Sequence, residues 1–231
     1  MRKIFFIALF AIWLPVLGIS QTTDFGVWTS IGAGKKFNKI NIEAEGCFRS
    51  KNNSELVDRL SLQVDGSYSI FKPLKIGASY EYMYYNDTKY SDFQNRHRLS
   101  FYLQGKQKLG RFSFSLTERV QVTTKDESDR IKSSGKIDTY RIDPAWTWRS
   151  KIKVAYNISK TPLTPSLSAE AYYILNDPDG NTFYKLRYTL ALSYKFERNH
   201  AIEIFGLIDK EINTTDPVTT YITGLGYNYS F

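Results

Sequence analysis

From Asp24 onward the chain alternates apolar and polar side chains with a period of two, in segments separated by polar turns. That period places successive side chains on opposite faces of a β-strand. The last segment, Val218 to Phe231, shows it most plainly. Tyr221, Leu225, Tyr227, Tyr229 and Phe231 fall on one face, and Thr220, Gly224, Gly226, Asn228 and Ser230 on the other. A strand with a greasy aromatic face and a small polar face, ending in Phe, matches a strand of an outer-membrane barrel.

Ten earlier segments repeat the pattern. Asp24 to Ala33 sets Phe25, Val27 and Ile31 against Asp24, Trp28 and Ser30, and Gly34-Lys35-Lys36 is the expected turn. Phe37 to Arg49 sets Ile40, Ile42 and Phe48 against Glu43, Glu45 and Arg49. The third segment opposes Leu60, Leu62 and Val64 to Arg59, Gln63 and Asp65. The fourth opposes Ile76, Ala78 and Tyr80 to Lys75, Ser79 and Glu81. The fifth opposes Leu99, Phe101 and Leu103 to Arg96, Arg98 and Ser100. In the sixth, Phe114, Leu116 and Val120 oppose Ser115, Thr117 and Arg119. Glu118 is out of phase there, which calls for a bulge or a different register. The seventh alternates Trp146, Trp148 and Ile152 with Arg149, Lys151 and Lys153. The eighth carries Glu170 on its polar side. The ninth places Tyr184, Leu186, Tyr188 and Leu190 opposite Lys185 and Arg187. In the tenth, Ile202, Ile204 and Ile208 oppose Glu203 and Asp209, though Phe205 and Leu207 also lie on that polar side. Short turns alternate with longer polar loops. The longest, Thr124 to Asp138, reads as a mobile surface loop.

Two soluble sheets packed together would also have one apolar face per strand. The strands here are about 12 residues long, however, more than the 9–11 a tilted strand needs to cross a bilayer and twice the usual soluble strand. Their polar faces carry charges of both signs at mid-strand, which a lumen accommodates by pairing. The expected fold is therefore all-β: a transmembrane antiparallel up-and-down barrel with short periplasmic turns and longer external loops. An open edge in lipid would leave backbone groups unpaired, so the sheet must close. Bacterial single-chain barrels have an even strand number. Asp24 to Ala33 is thus expected not to span, giving about ten strands, with twelve as the other option. Trp28, turned away from the apolar face beside Asp24, would then pack at the periplasmic mouth or inside the lumen.

The amino terminus adds an address. Arg2 and Lys3 precede an apolar run, Ile4 to Ile19, with Gly18 and Ser20 at cleavage offsets. This reads as a signal peptide over residues 1–20, cut near Ser20/Gln21, leaving one barrel domain over 21–231 in a Gram-negative outer membrane. The formal charge of +8 falls to +6 without Arg2 and Lys3. The basic residues are scattered singly over the strands, which gives no nucleic-acid face. Seventeen Tyr and fifteen Phe instead favour strands and membrane interfaces. The expected partners are outer-membrane lipid and the outer-membrane assembly machinery, the latter through Tyr227, Tyr229 and Phe231.

The layout resembles the uncharacterised outer-membrane β-barrel family of Bacteroidetes known as domain of unknown function 2490. The resemblance rests on Asp24 with Trp28, Arg49, Thr117-Glu118-Arg119, Glu170 with Asn176, and Lys185-Leu186-Arg187. It covers nearly the whole mature chain, with Lys in several slots where the family carries Arg. It implies a fold and a location, and no activity.

Candidate chemistry is sparse. Catalysis by an activated serine needs a histidine beside it. His97 and Ser100 point to opposite faces, and His200 reads as interfacial, so no catalytic residue is assigned. One Cys, Cys47, and two distant His make no metal site. Asp126, Glu127 and Asp129 are interleaved with Lys125, Arg130 and Lys132, as in a solvated loop. Gly32-x-Gly34 precedes no helix, and no cofactor is called for. What remains is a lumen lined by Glu43, Glu45, Arg49, Arg59, Asp65, Glu81, Arg96, Arg98, Arg119, Arg149, Lys151, Lys153, Glu170, Lys185, Arg187 and Glu203. Two outcomes follow: the charges pair and fill a structural or binding barrel, or their basic excess lines a small anion-leaning pore. A lipid-modifying enzyme is the third reading.

Overall fold

The computed structural model describes residues 22–231, so the expected signal peptide and its cleavage point lie outside the described residues. Eleven strands follow one another: β1 Thr22–Phe37, β2 Ile40–Lys51, β3 Leu56–Phe71, β4 Leu74–Asp87, β5 Asp92–Leu109, β6 Phe112–Lys125, β7 Ala145–Tyr156, β8 Leu163–Ile174, β9 Phe183–Lys195, β10 His200–Glu211 and β11 Val218–Ser230. Each pairs with the next in antiparallel register. β1 also pairs with β11, in parallel, from Thr22↔Val218 to Gly34↔Ser230, and this seam closes the barrel.

The closed wall corrects the expected count of ten. Asp24 to Ala33 is the middle of a full 16-residue strand. Its backbone pairs with β11 throughout and with β2 from Trp28 onward, while the Val27 N–H goes to the Ser50 hydroxyl and the Phe25 carbonyl accepts from Ser54. An odd number of up-and-down strands starts the first and last from the same end, so their seam is parallel. One rim, the turn end, carries the short connections and Phe231. The other, the loop end, carries the longer ones and Thr22. The first turn falls at Asn38–Lys39 rather than at Gly34-Lys35-Lys36. Asn38 takes the left-handed conformation (φ 53°) that Asn tolerates, and Gly34 stays in the strand.

The faces are inverted relative to a soluble sandwich. Leu62, Phe101, Ile152 and Leu190 point outward and are 56–64% exposed, while Ser100, Thr147, Glu81 and Glu170 point inward and are at most 7% exposed. Paired aromatics, stacked or edge-on, band the outer wall near both rims. Tyr84–Phe93 and Tyr173–Phe183 sit toward the loop end. Phe112–Tyr156, Tyr194–Phe196 and Tyr229–Phe231 sit toward the turn end. His200 joins the turn-end band, with Nδ1 2.7 Å from the Tyr227 hydroxyl.

Two further expectations change. β8 and β9 slip register between Tyr172 and Tyr173, so Tyr184 leaves the outer face and stacks edge-on against Tyr172 in the interior. A bulge adds one residue to a strand and so reverses a side chain's direction. Glu118 shows the opposite outcome. Neither of its ladders is interrupted, and it stays among the outer side chains. The Trp148 indole N–H (2.7 Å) and the Ser150 hydroxyl (2.7 Å) donate to its two oxygens. It borders an open apolar groove of about 840 Å3 with Phe101 and Trp148. Inside, two glycines make room for rings: the Tyr102 ring lies over Gly77, and the Phe205 ring over Gly224, where a Cβ would collide with it.

Thr29 pairs with Leu225 on one side and Phe48 on the other. Thr29→Pro deletes a ladder N–H and orphans a carbonyl, a loss of roughly 2–3 kcal/mol. The expected result is a clear drop in the urea midpoint of the compact, heat-modifiable form. An unchanged midpoint would mean that β1 is not part of the closed wall.

Candidate functional site

The site is the lumen, and its chemistry follows from which strand positions face inward. Three ion pairs, each between neighbouring strands, line its middle. Arg98 Nη1 donates to Glu81 at 2.9 Å, Arg149 holds Glu170 at 2.8 and 2.9 Å, and Arg187 grips Asp209 with two bonds of 2.5 and 2.6 Å. The Arg187 pair is a fork-to-fork contact, the strongest geometry available to a guanidinium. Arg59 bonds the Asp58 carboxylate at 2.7 Å, and Lys185 lies 3.7 Å from Asp209.

Aromatic rings share the remaining cations. Arg49 and Arg187 lie 4.1 and 5.0 Å from the Trp28 ring centre. Trp28 is thus a lumenal residue of the barrel's middle, not of the periplasmic mouth. Asp24 stands at the loop end instead. Its carboxylate takes the N–H groups of Asn52 (3.2 Å) and Asn53 (2.8 Å), where three residues with positive φ make a concave array of donors. Tyr172 is bordered by Arg149, Arg187 and Lys185, Tyr85 by Arg59 and Arg96, and Tyr102 by Arg119 and Lys75. Each cation–ring contact contributes about 0.5–2 kcal/mol, more where water is excluded.

The other expected lumen charges are placed as follows. Asp65 accepts from the Tyr102 hydroxyl at 2.8 Å, and Glu203 from Ser193 at 2.6 Å. Glu45 accepts from the Cys47 thiol (3.0 Å) and Glu43 from Asn41 (2.5 Å). Arg96 donates to Tyr140 at 2.9 Å. Lys151 and Lys153 line a chamber of about 420 Å3 toward the turn end, with Glu43, Asp65 and Lys75. Arg119 and Arg149 are shared with a second chamber of about 240 Å3 at mid-height, which Trp28, Arg49 and Arg187 also line. The expected lumen charges do not include Asp58, nor Asp209 although it lies on the polar side of the tenth segment, nor the tyrosines that separate the cations. The tyrosines' inward parity was the available signal, and their abundance as interface residues obscured it.

At the loop end residues 126–144 are pinned against β4 and β5 by hydrogen bonds and ion pairs. Arg130, 6% exposed, donates to the Asp138 carbonyl oxygen (2.7 Å) and pairs with both Asp87 and the Asp138 carboxylate. The Tyr140 hydroxyl reaches Asp87 (2.9 Å) and Gln94 (2.7 Å) on the inner wall. Hydrogen bonds from Lys89, Tyr90 and Lys132 hold the Asp138 carboxyl well below the usual carboxylate range. His97 lies outside against Tyr80 (2.7 Å). Among the described residues neither histidine is bonded to a serine, and no group of three metal-ligating side chains gathers.

The fold and its interior define a closed β-barrel with a charged lumen. The chain belongs to the family described as "Protein of unknown function (DUF2490)", which it matches over residues 25–219. No curated protein matches it in sequence. Among solved structures it is similar to a "Bacterial polysaccharide outer membrane secretin", at 11% identity and a TM-score of 0.50, over 80% of this chain and 73% of that one. It is also similar to a refined porin structure, at 14% identity and a TM-score of 0.36, over 82% of this chain and 58% of that one. At these identities the first likeness shows the fold alone, and the second carries no argument.

Arg130→Met should free the 126–144 segment, so that proteinase K cuts it at least tenfold faster while the wall stays intact. The pH dependence has a definite sign. Asp138 is depressed in the folded state, so its contribution is complete above the unfolded value near 4 and is lost only as pH falls through the lower folded value. Cleavage of the wild-type loop should be constant from pH 8 to 5 and rise in more acid solution.

Proposed function

We propose that this protein is an outer-membrane barrel whose lumen is filled by paired charges and works as a binding chamber rather than an open passage. The observation that carries this is the set of mid-height ion pairs, Arg98–Glu81, Arg149–Glu170 and Arg187–Asp209. Around them Met83, Ser100 and Tyr172 are 0%, 2% and 3% exposed, and the space left inside includes two small adjoining chambers.

The membrane part of this reading is supported by the inverted faces, the aromatic bands and strand lengths of 12 to 18 residues, above what a tilted crossing needs. A signal peptide over residues 1–20 supplies the export route. Phe231 and the aromatic face of β11 present the assembly machinery with its strand, and the outer wall meets lipid. The turn end then faces the periplasm. The barrel fold and the family point away from an enzyme. The excess of lumenal cations supports the second reading, a narrow anion-leaning pore.

Planar-bilayer conductance of the refolded chain lacking residues 1–20 separates the two. The expected result is a folded, heat-modifiable barrel without discrete current steps. Regular steps with anion preference in a salt gradient would overturn the binding-chamber reading in favour of the pore. Arg187→Ala leaves Asp209 without its fork and should admit small, irregular currents.

A further inference from the structure

The mid-height chamber holds more positive charge than its own carboxylates can answer. Glu81 and Asp209 line it, each already committed to Arg98 or Arg187. Arg49 and Arg119 also line it, and among the described residues no carboxylate lies within ion-pair distance of either. Lys185 adds a third cation whose nearest carboxylate, 3.7 Å away, belongs to the Arg187 fork.

The ladder shows why these two arginines stand apart. Arg49 is the direct cross-strand partner of Arg59, and Arg119 of Arg149. Like charges directly opposite one another destabilise a sheet. In each pair one member has a carboxylate, Asp58 or Glu170, and the other has only an aromatic ring, Trp28 or Tyr102. Both ring-bound members open onto the same chamber of about 240 Å3. That space is below the usual range for organic ligands and suits a compact group of a few heavy atoms. Planar guanidinium forks match the oxygen edge of an oxyanion, and several unanswered cations call for more than one negative charge.

We infer that the mid-height chamber is a binding site for a compact, multiply charged oxyanion of the phosphate or sulfate class, held between Arg49 and Arg119 with Lys185 behind them. The inference rests on the binding-chamber reading and names its ligand. The route in is from the turn end, because the two chambers meet at Gln63, Arg119 and Arg149 and the outer one is lined by turn-end residues such as Lys75 and Lys153. The anion reduces the repulsion within both arginine pairs and so stabilises the wall it sits in. A ligand that binds only the folded state raises the unfolding temperature with its concentration.

The test is thermal unfolding of the refolded full barrel with inorganic phosphate or sulfate, against sodium chloride at equal ionic strength. The expected result is a stabilisation by phosphate and sulfate that chloride does not reproduce. Its half-maximal concentration should rise at least tenfold in Arg49→Gln and in Arg119→Gln, rise less in Arg49→Lys, and stay unchanged in Arg141→Gln, a loop control. Equal stabilisation by chloride, or an unchanged response in both Gln variants, overturns the site. Should Arg49→Gln fail to fold, broadening of the phosphate 31P resonance by the wild-type protein decides: broadening reversed by sulfate supports the site, and its absence refutes it. Conductance separates this inference from its parent. Current steps blocked by phosphate would sink the closed lumen and keep the oxyanion site. A silent barrel indifferent to phosphate would keep the closed lumen and sink the site.

Discussion

Two arginine pairs face each other directly across the ladder, Arg49 with Arg59 and Arg119 with Arg149, and the interior is arranged around that repulsion. Two unit charges 4–8 Å apart repel by about 2–4 kcal/mol at an effective dielectric of 20. A flexible loop would relieve this by moving. A closed wall cannot, because both strands are fixed on either side. The relief comes from chemistry within reach: a carboxylate for one member of each pair and a ring face for the other. The lumenal tyrosines and Trp28 are spacers in this sense. They keep cations apart and present the negative faces of their rings to them.

The outer wall has the complementary problem, a carboxylate among apolar side chains. Glu118 stands among apolar side chains with no cation beside it, and its two oxygens are met by an indole and a hydroxyl from β7. The two rims also differ. The loop end is knitted by side chains, with Asp24 fastening β1 to the β2–β3 turn and Arg141 joining the long loop to Asp177 and Asp179. The turn end carries aromatic contacts and leaves its inner charges wetter, with Glu43 and Lys106 exposed.

Much of this was legible in the sequence, because a period of two survives any tertiary arrangement. The alternation in β2, β3, β5 and β7 is enough to read an all-β closed barrel strand by strand. What escaped depends on contacts between strands. The reversal of Tyr184 comes from a one-residue slip against β8, which no count along β9 alone reveals. The pinning of residues 126–144 depends on Asp87 and Gln94, which lie some forty residues away in sequence. β1 was set aside by a rule about even strand numbers, while its own alternation, Phe25, Val27 and Ile31 against Asp24 and Trp28, was sound. Of the lumen, the residue list was readable, but the choice of partners was not. Arg187 and Arg49 look alike in sequence and differ in whether Asp209 is within reach.

The parallel seam makes the barrel's connectivity unequal. Every other neighbouring pair of strands is also consecutive in the chain, so each hairpin can find its register by a short search. The contact between β1 and β11 must bring together segments separated by almost the whole chain. Closing such a loop costs roughly 4–5 kcal/mol of chain entropy, and it is repaid only once the intervening strands are already in line. Parallel ladders are also slightly weaker per residue than antiparallel ones. The seam is therefore the natural last event of assembly and the natural first breach on unfolding. Before it forms, the molecule is a curled sheet with two raw edges, able to pair with whatever strand it meets.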